Sequence, residues 1–443
     1  MERPLDEATA RAAVKAAFEA VNAEDVRVNI EASEGAFLRY AVNQVTTSGQ
    51  VTDAQTSVTC AEGRKHATVT IHGVRAGDVA AAAKRALELA HVAPDDPEYV
   101  PSPGPATMKP VMVGWSNAPV TADDRAALVA DAIAEAKKHE LIGYGFVQHE
   151  RRTEVTATRA GFFGIHHQTG CDATTTARTP SGDGSGWACA GAVAFKDVDL
   201  AGAARSACDK ALRSRGAKPL DPGVYPVVLE PAAVAGLLAM MARSLEARSA
   251  DEGRSAFSKP GGGSRVGEKM LGALSLRSDP WSTLLPSAPF DDEGLPRPPM
   301  TWIDGGVVKK LRTSRYWAKK TNRLADARYA AYLPVGPRAE SVDALIGGLE
   351  RGLVITRLWY IRPVEPQTVT VTGLTRDGLF LVEKGKIVGP VNNFRFNQSV
   401  IQMFADADAY TAPLRVTGED GNALVAPAIR CKAFRMSSKS DAV

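Results

Sequence analysis

The sequence predicts an α+β protein in two domains. An N-terminal mixed α/β domain is expected over residues 1–219, and a C-terminal, mainly antiparallel β domain with one long apolar helix over residues 220–443. Three observations predict this. Helical and period-two patterns interleave up to Ser214, the turn-rich stretch KPLDPGVYP interrupts them near residue 220, and from Met300 apolar and polar residues alternate almost to the end. At roughly 150 residues per domain, a chain of 443 residues suits two or three such units, and the single strong break favours two.

The first helix is expected over residues 5–22, followed by strands at Asp25–Ala32 and His66–Val74. Gly77–His91 reads as a second helix with Asp78 as its capping candidate. The proline-rich APDDPEYVPSPGPATMKP after it reads as a loop or internal linker. A third helix, Thr121–His139, starts on a Thr-Ala-Asp-Asp cap. Short strands are expected at Tyr144–Gln148, Glu154–Ala157, Phe162–His167, Ala173–Arg178 and Ser185–Ala194, before a closing helix, Leu200–Ser214. In the second domain, a strand at Tyr225–Leu229 leads through Glu230-Pro231 into AAVAGLLAMMARSLEARSA, a single apolar helix with proline at its first position. Residues 251–299 read as mostly irregular, and a loop of that length suggests a lid or a functional segment. Beyond it, MTWIDGGVVKKL carries a Gly-Gly hairpin signal. QTVTVTGL and DGLFLVEKGKIVGPV alternate and turn at Lys384-Gly385-Lys386, and PLRVTGEDGNALVAPAIRCKAF ends the β region, so one helix and antiparallel strands are expected.

Composition narrows the function. Apolar residues at 44% and charged residues at 23% are those of a globular protein able to bury a core. Fifty-three Lys+Arg against fifty Asp+Glu leave a net charge of +3, which argues against nucleic acid as a partner. No apolar run is long enough to span a membrane, and the charged, helical N-terminus is unlike a signal peptide, so a cytoplasmic location is expected. Five scattered cysteines without a CxxC read as reduced, half-buried thiols.

All seven histidines lie in the first 167 residues, so the second half cannot hold an HExxH zinc site. His166-His167 with Cys171 is the one cluster of metal-like composition. On a strand, however, adjacent residues face opposite sides, which favours one solvent-facing and one half-buried ring. GDGSG (182–186) and GGGSRVG (261–267) lack the flanking elements of a phosphate loop and read as flexible turns. Asp291, Asp292 and Glu293 have the right chemistry for a hard cation but not the spacing of a calcium loop, so a solvated acidic turn is preferred. KKLRTSRYWAKKTNR (309–323) interleaves aromatics with charge and is read as a solvated basic face. Arg376 and Asp377 are the other polar pair of note, with Asp377-Gly378 read as a hairpin turn. Leu237, Leu238, Met240 and Met241 form an apolar stripe suited to core or subunit interface.

Taken together, GVYPVVLEP (223–231), the helix after it, FDDEGLP (290–296), WIDGGVVKKL, RYWAKK and TGLTRDGLFLVEKGKIVGPVNNFRFNQS (372–399) resemble the TldD/PmbA family of zinc-peptidase-like proteins. RYAVNQVT from Arg39, RALELAH, ATRAGFFG, GSGWA and ALRSRGAKPLDPGVYP resemble that family's N-terminal domain, so the likeness spans nearly the whole chain. In active members, the resemblance implies, a HExxxH helix gives two zinc ligands and a general base, and a cysteine near the C-terminus gives the third ligand. Here the two histidine positions fall on Ala239 and Ser244, the base position on Met240, and the cysteine position near Ala412-Pro413. Cys431 lies well after it. Alanine and methionine offer zinc no suitable lone pair, and a lone serine is a poor substitute for imidazole.

The resemblance therefore points to the family's metal-free, PmbA-like branch. Such a chain is expected to be a non-catalytic subunit that pairs with a TldD-like catalytic chain, zinc being held only by that partner, and that acts on unfolded or leader peptides. Two alternatives stand beside it. One is a self-contained enzyme whose chemistry has moved to Arg376-Asp377 and Asp291-Asp292-Glu293; the other is a homo-oligomeric peptide-binding protein without peptidase activity. The family has also been linked to DNA gyrase, for which no pattern in these residues speaks.

Overall fold

The computed structural model describes residues 3–440. Its N-terminal half runs α1 (Glu7–Ala20), β1 (Asp25–Ala41), β2 (Gln44–Glu62), β3 (Lys65–His72), α2 (Ala76–Val92), α3 (Ala122–Lys138), β4 (Ile142–Thr158), β5 (Phe163–Arg178), β6 (Ser185–Ala192) and α4 (Leu200–Arg213). The six strands form one antiparallel sheet in the order β3-β2-β1-β4-β5-β6. Val26, Val28 and Ile30 of β1 bury against alanines of α1 and α2, while Leu38 and Tyr40 bury with Val147 and Ala173 against α3 and α4. All four helices thus cover one face of the sheet.

The strands are longer than alternation alone suggested. β4 joins two expected strands into one because the charged run between them, His149 to Thr153, pairs with β1 on one side and β5 on the other. β2 was not foreseen. Its first half, from Gln44, is exposed on both faces and therefore shows no two-residue pattern. The Thr121 cap forms as a full capping box with Asp124, whereas Asp78 caps nothing: the N-cap of α2 is Arg75, whose Nε bonds the Asp78 carboxylate at 2.9 Å.

The C-terminal half comprises β7 (Gly223–Leu229), α5 (Pro231–Ala242), α6 (Ala247–Asp251), β8 (Ser275–Ser278), β9 (Met300–Asp304), β10 (Val307–Val308), α7 (Arg315–Thr321), β11 (Leu333–Val335), α8 (Val342–Gly347) and β12 (Arg351–Glu365). It continues with β13 (Thr370–Glu383), β14 (Lys386–Pro390), β15 (Asn393–Ser399), α9 (Val400–Asp406), β16 (Ala407–Tyr410), β17 (Leu414–Thr417), β18 (Ala423–Ala426) and β19 (Ile429–Ser440). The main sheet runs β12-β7-β19-β15-β13-β14 with β16 on β19, and since β13 also pairs with β12, it closes on itself. The β7–β12 pair is parallel, so the sheet is mixed and not wholly antiparallel. No helix among the described residues is long and apolar enough to cross a membrane.

Two expectations need correction here. The single long apolar helix is two, α5 and α6, and three further short helices accompany them. The break has a cause. Arg312 inserts its backbone beside residues 245–247, donating its N–H to the Leu245 carbonyl and accepting from Ala247 N, both at 2.8 Å, while Leu245 turns into the core. Asp377-Gly378 is likewise no hairpin turn. It lies inside β13 with φ of 57° and 123°, opposite a register shift between Ile355 and Arg357 of β12, and so forms a bulge. The hairpins at Gly305-Gly306 and Lys384-Gly385 form where expected.

The proline-rich segment is a strap across the two halves. Its Glu98 takes a two-pronged contact from Arg248 at 2.6 and 2.7 Å, the carbonyls of Val100 and Pro101 accept from Arg315, and the Pro110 carbonyl accepts from Trp281. Three more contacts join the halves: Asp172–Arg415 with bonds of 3.1 and 2.8 Å, Lys210–Glu230 at 2.6 Å, and the Ser185 hydroxyl to Asp377 at 2.6 Å. The side chains of Asp172 and Arg415 are 10% and 7% exposed, so removing one strands the other in a water-poor setting. Asp172→Ala is expected to cost roughly 3–5 kcal/mol. Gly191→Ala should act in the same direction, because its new Cβ would stand 2.6 Å from Asp172 Oδ1 and 2.9 Å from Arg415 Nε. Urea titration of both variants checks this, and unchanged midpoints would show that the bridge carries no stability.

Candidate functional site

The sheet face free of helices looks across a cleft at the C-terminal half. Along β4 every second residue from Gln148 through Glu150 and Arg152 to Glu154 points into it, and Gln168, Gly170 and Asp172 of β5 continue that floor. The opposite wall is α5, which presents Gly236, Ala239, Met240 and Arg243, the i, i+3, i+4, i+7 stripe of one helical face. Gly236 lets the helix sit close to β12, since a Cβ there would lie 2.6 Å from the end of the Ile361 side chain, which would have to shift. The turn between β17 and β18 completes the rim with Glu419 and Asp420, the latter accepting from Asn422 Nδ2 at 2.8 Å. The cleft holds about 840 Å³ and runs on into a second cavity of about 700 Å³, sharing Gln148, Asp172, Glu419 and Gly421 with it. That second part is aromatic, with Phe37, Phe146, Trp187 and Trp359, and Arg357 sits over both indoles at 4.6 and 4.8 Å.

Charge in the cleft is only partly paired. Arg152 bonds Glu150 and reaches Glu31 at 3.3 Å, and Asp172 holds Arg415. Arg297 spends its donors on the carbonyls of Arg328 and Ala288, and burial lowers its pKa. Glu154 has no hydrogen bond or ion pair among the described residues, and burial holds its carboxyl above the usual range. Across the strand pair from it lies His166, 3% exposed, with Nε2 buried and without a partner.

Of the sequence-predicted positions, Ala239 and Met240 line the cleft and Ser244 does not. Ser244 follows the end of α5, and its backbone is tied to Met241 and Ser255. Ala412-Pro413 lies between β16 and β17, outside the lining residues. A methyl group and a thioether are thus what α5 offers at the first two motif positions, and this donor set does not fit zinc. Asp291 is no solvated turn residue. It is 2% exposed, and its carboxylate accepts from the N–H groups of Glu293, Leu295 and Arg328. Glu293 pairs with Arg315 at 3.6 Å and Asp292 is exposed. Asp377 is buried between Ser185 and Arg357, while Arg376 lies 5.5 Å over the Trp359 ring. These five residues are not brought together. The basic stretch 309–323 is mostly used internally: Lys310, Arg312, Arg315 and Arg323 pair with Asp326, Glu246, Glu293 and Asp251. The five cysteines are free and buried or half-buried, and burial raises Cys60 and Cys208 to about 11 and Cys171 and Cys431 to about 12, so these four thiols stay protonated near neutrality. Sequence reading missed the β4 charges. Their signal was the polar every-second-residue set of QHERRTE, which does not reveal that a second domain covers that face.

Residues 115–215 match the PmbA/TldA metallopeptidase central domain, and residues 222–438 match the PmbA/TldA metallopeptidase C-terminal domain. The chain belongs to the PmbA/TldD family. Among solved structures, TldE from Thermococcus kodakarensis is similar with a TM-score of 0.81 at 17% identity, over 98% of this chain and 99% of that one. A Thermotoga maritima protein described as a candidate modulator of a DNA gyrase gives 0.82 at 16%, over 96% and 98% of the two chains. A Bacteroides thetaiotaomicron protein described in similar words gives 0.79 at 16%, over 98% of both. At these identities the likeness of the PmbA/TldD chain to its neighbours is one of fold. Comparison with curated proteins finds no match.

Three histidines on β4 and β5 give this family member a pH signature. Burial pushes His149, His166 and His167 down to about 4, with Arg125 and Arg151 adding to the effect at His149. The folded chain keeps these rings neutral while the unfolded chain binds protons below about pH 6.5. Unfolding therefore takes up protons, and stability is expected to fall as pH drops from about 6.5 towards 4. Urea midpoints measured across that window check the sign, and His149→Gln should flatten the slope.

Proposed function

We propose that this chain is the metal-free, peptide-holding subunit of a two-chain PmbA/TldD-type metallopeptidase acting on unfolded or leader peptides in the cytoplasm. The observation that carries the reading is the cleft wall. The α5 stripe that aligns with the family's metal helix faces the cleft, yet shows it Ala239 and Met240. A chain built so can bind and orient a peptide without activating water on a metal. The form of the cleft suits an extended segment: a floor of polar strand residues, a charged middle and an aromatic end. Hydrolysis then falls to a zinc-bearing partner of the same family.

Two of the five residues behind the alternative of a relocated active site are already engaged. Asp291 and Asp377 spend their carboxylates on backbone amides, Ser185 and Arg357, which leaves neither free to move a substrate proton. Native mass spectrometry of the chain, purified gently from its own cells, is expected to show a second chain of similar mass with zinc on that chain. A metal-free assembly of identical copies would overturn the partner-subunit reading.

A further inference from the structure

The cleft floor carries a deficit of positive charge at one place. Around Glu154 stand Glu31 on β1 and Glu150 on β4, and against these three carboxylates there are two guanidiniums, Arg152 and Arg297. Arg152 is already shared between Glu31 and Glu150, at 3.3 and 3.0 Å. Arg297 faces Glu154 and, after it, Asp291 and Asp292, while its hydrogen bonds go to two backbone carbonyls. The five groups together carry one net negative charge, and Glu154 makes no ion pair with either guanidinium among the described residues. A carboxylate that lines the cleft with no ion pair of its own is free to meet a cationic group of a ligand.

Acceptors for such a cation are assembled beside it. His166 sits directly across the β4–β5 ladder from Glu154, so the two side chains stand on one sheet face. Its Nε2 is buried and unpartnered. Burial pushes the ring's pKa down to about 4, so it is neutral near pH 7. A neutral imidazole offers one lone pair, and Gln168, which lines the cleft, offers an amide oxygen. An ammonium has three N–H donors; Glu154 and Gln168 offer acceptors at the cleft surface, and the buried His166 Nε2 is a third acceptor on the same sheet face.

We propose that Glu154, with His166 and Gln168 beside it, forms a subsite for a primary ammonium, the free amino end of a bound peptide or the side chain of a lysine. The proposal rests on the cleft being a peptide site and adds a polarity to it: the cationic end of the ligand lies on the β4–β5 floor.

The test is calorimetric titration of the full-length chain, as purified, with three C-terminally amidated peptides of equal length. One has a free amino end, one is N-acetylated, and one is N-acetylated with a single internal lysine. The free-amine peptide is expected to bind about tenfold more tightly than the acetylated one, the size of a charge-assisted bond. Glu154→Gln should bring the two to parity. In the unmutated protein the preference should vanish as pH rises past the amino group's pKa of about 8, which tests the idea without reliance on a variant's folding. A lysine peptide that recovers the affinity identifies the side chain as a second source of the same group. Equal binding of all three peptides would overturn the subsite while leaving the peptide cleft standing. No binding of any of them would overturn both.

Discussion

The bridge between Asp172 and Arg415 is the contact on which the cleft depends. Asp172 lines both cavities and Arg415 lines the larger one, so the pair sits where they meet and fixes the β17–β18 hairpin over the sheet floor. Its room is prepared by glycines. A Cβ on Gly170 would come within 3.2 Å of the guanidinium, and one on Gly191 would overlap both partners. Larger side chains at these strand positions would crowd the arginine and force it to shift.

The wall opposite is held by a different force. Val234, Leu237, Leu238 and Met241 of α5 are fully or nearly fully buried in the large C-terminal core. Each such side chain contributes on the order of 1.5–3 kcal/mol by leaving water. The helix is therefore positioned by its apolar face, and its cleft face is free to change. The fold at this helix thus does not depend on which residues it shows the cleft. The buried stripe and the close approach of Gly236 to Ile361 hold α5 against β12.

What was legible in the sequence follows from the same division. Elements with a buried face announced themselves: the helices of the first half, the Thr121 capping box, and the hairpins at Gly305 and Lys384 stand where patterning put them. The first half of β2, exposed on both faces, gave no pattern, and the end of α5 depended on Arg312, a residue about seventy positions downstream. The candidate site was legible only through the family resemblance, which pointed at Ala239 and Met240. The paired and unpaired charges of β4 were invisible because their meaning comes from the half that covers them. Asp291 and Asp377 misled for the converse reason. Carboxylates that look chemically available in a sequence are, once folded, acceptors for backbone amides and a serine.

These contacts also decide how a ligand enters. The Glu98–Arg248 strap, the Asp172–Arg415 bridge, and the contacts Lys210–Glu230 and Ser185–Asp377 are spread along the length of the junction. A hinge between the halves would have to break several of them together, at a combined penalty well above that of any single bond. The cleft is thus an open, preformed groove and not a closing jaw. Preformed walls lose little conformational entropy on binding, so affinity rests on the side chains and charges already in place along them. Under the function proposed above, a flexible, extended peptide would conform to these fixed walls where a folded domain would meet the strap and the rim.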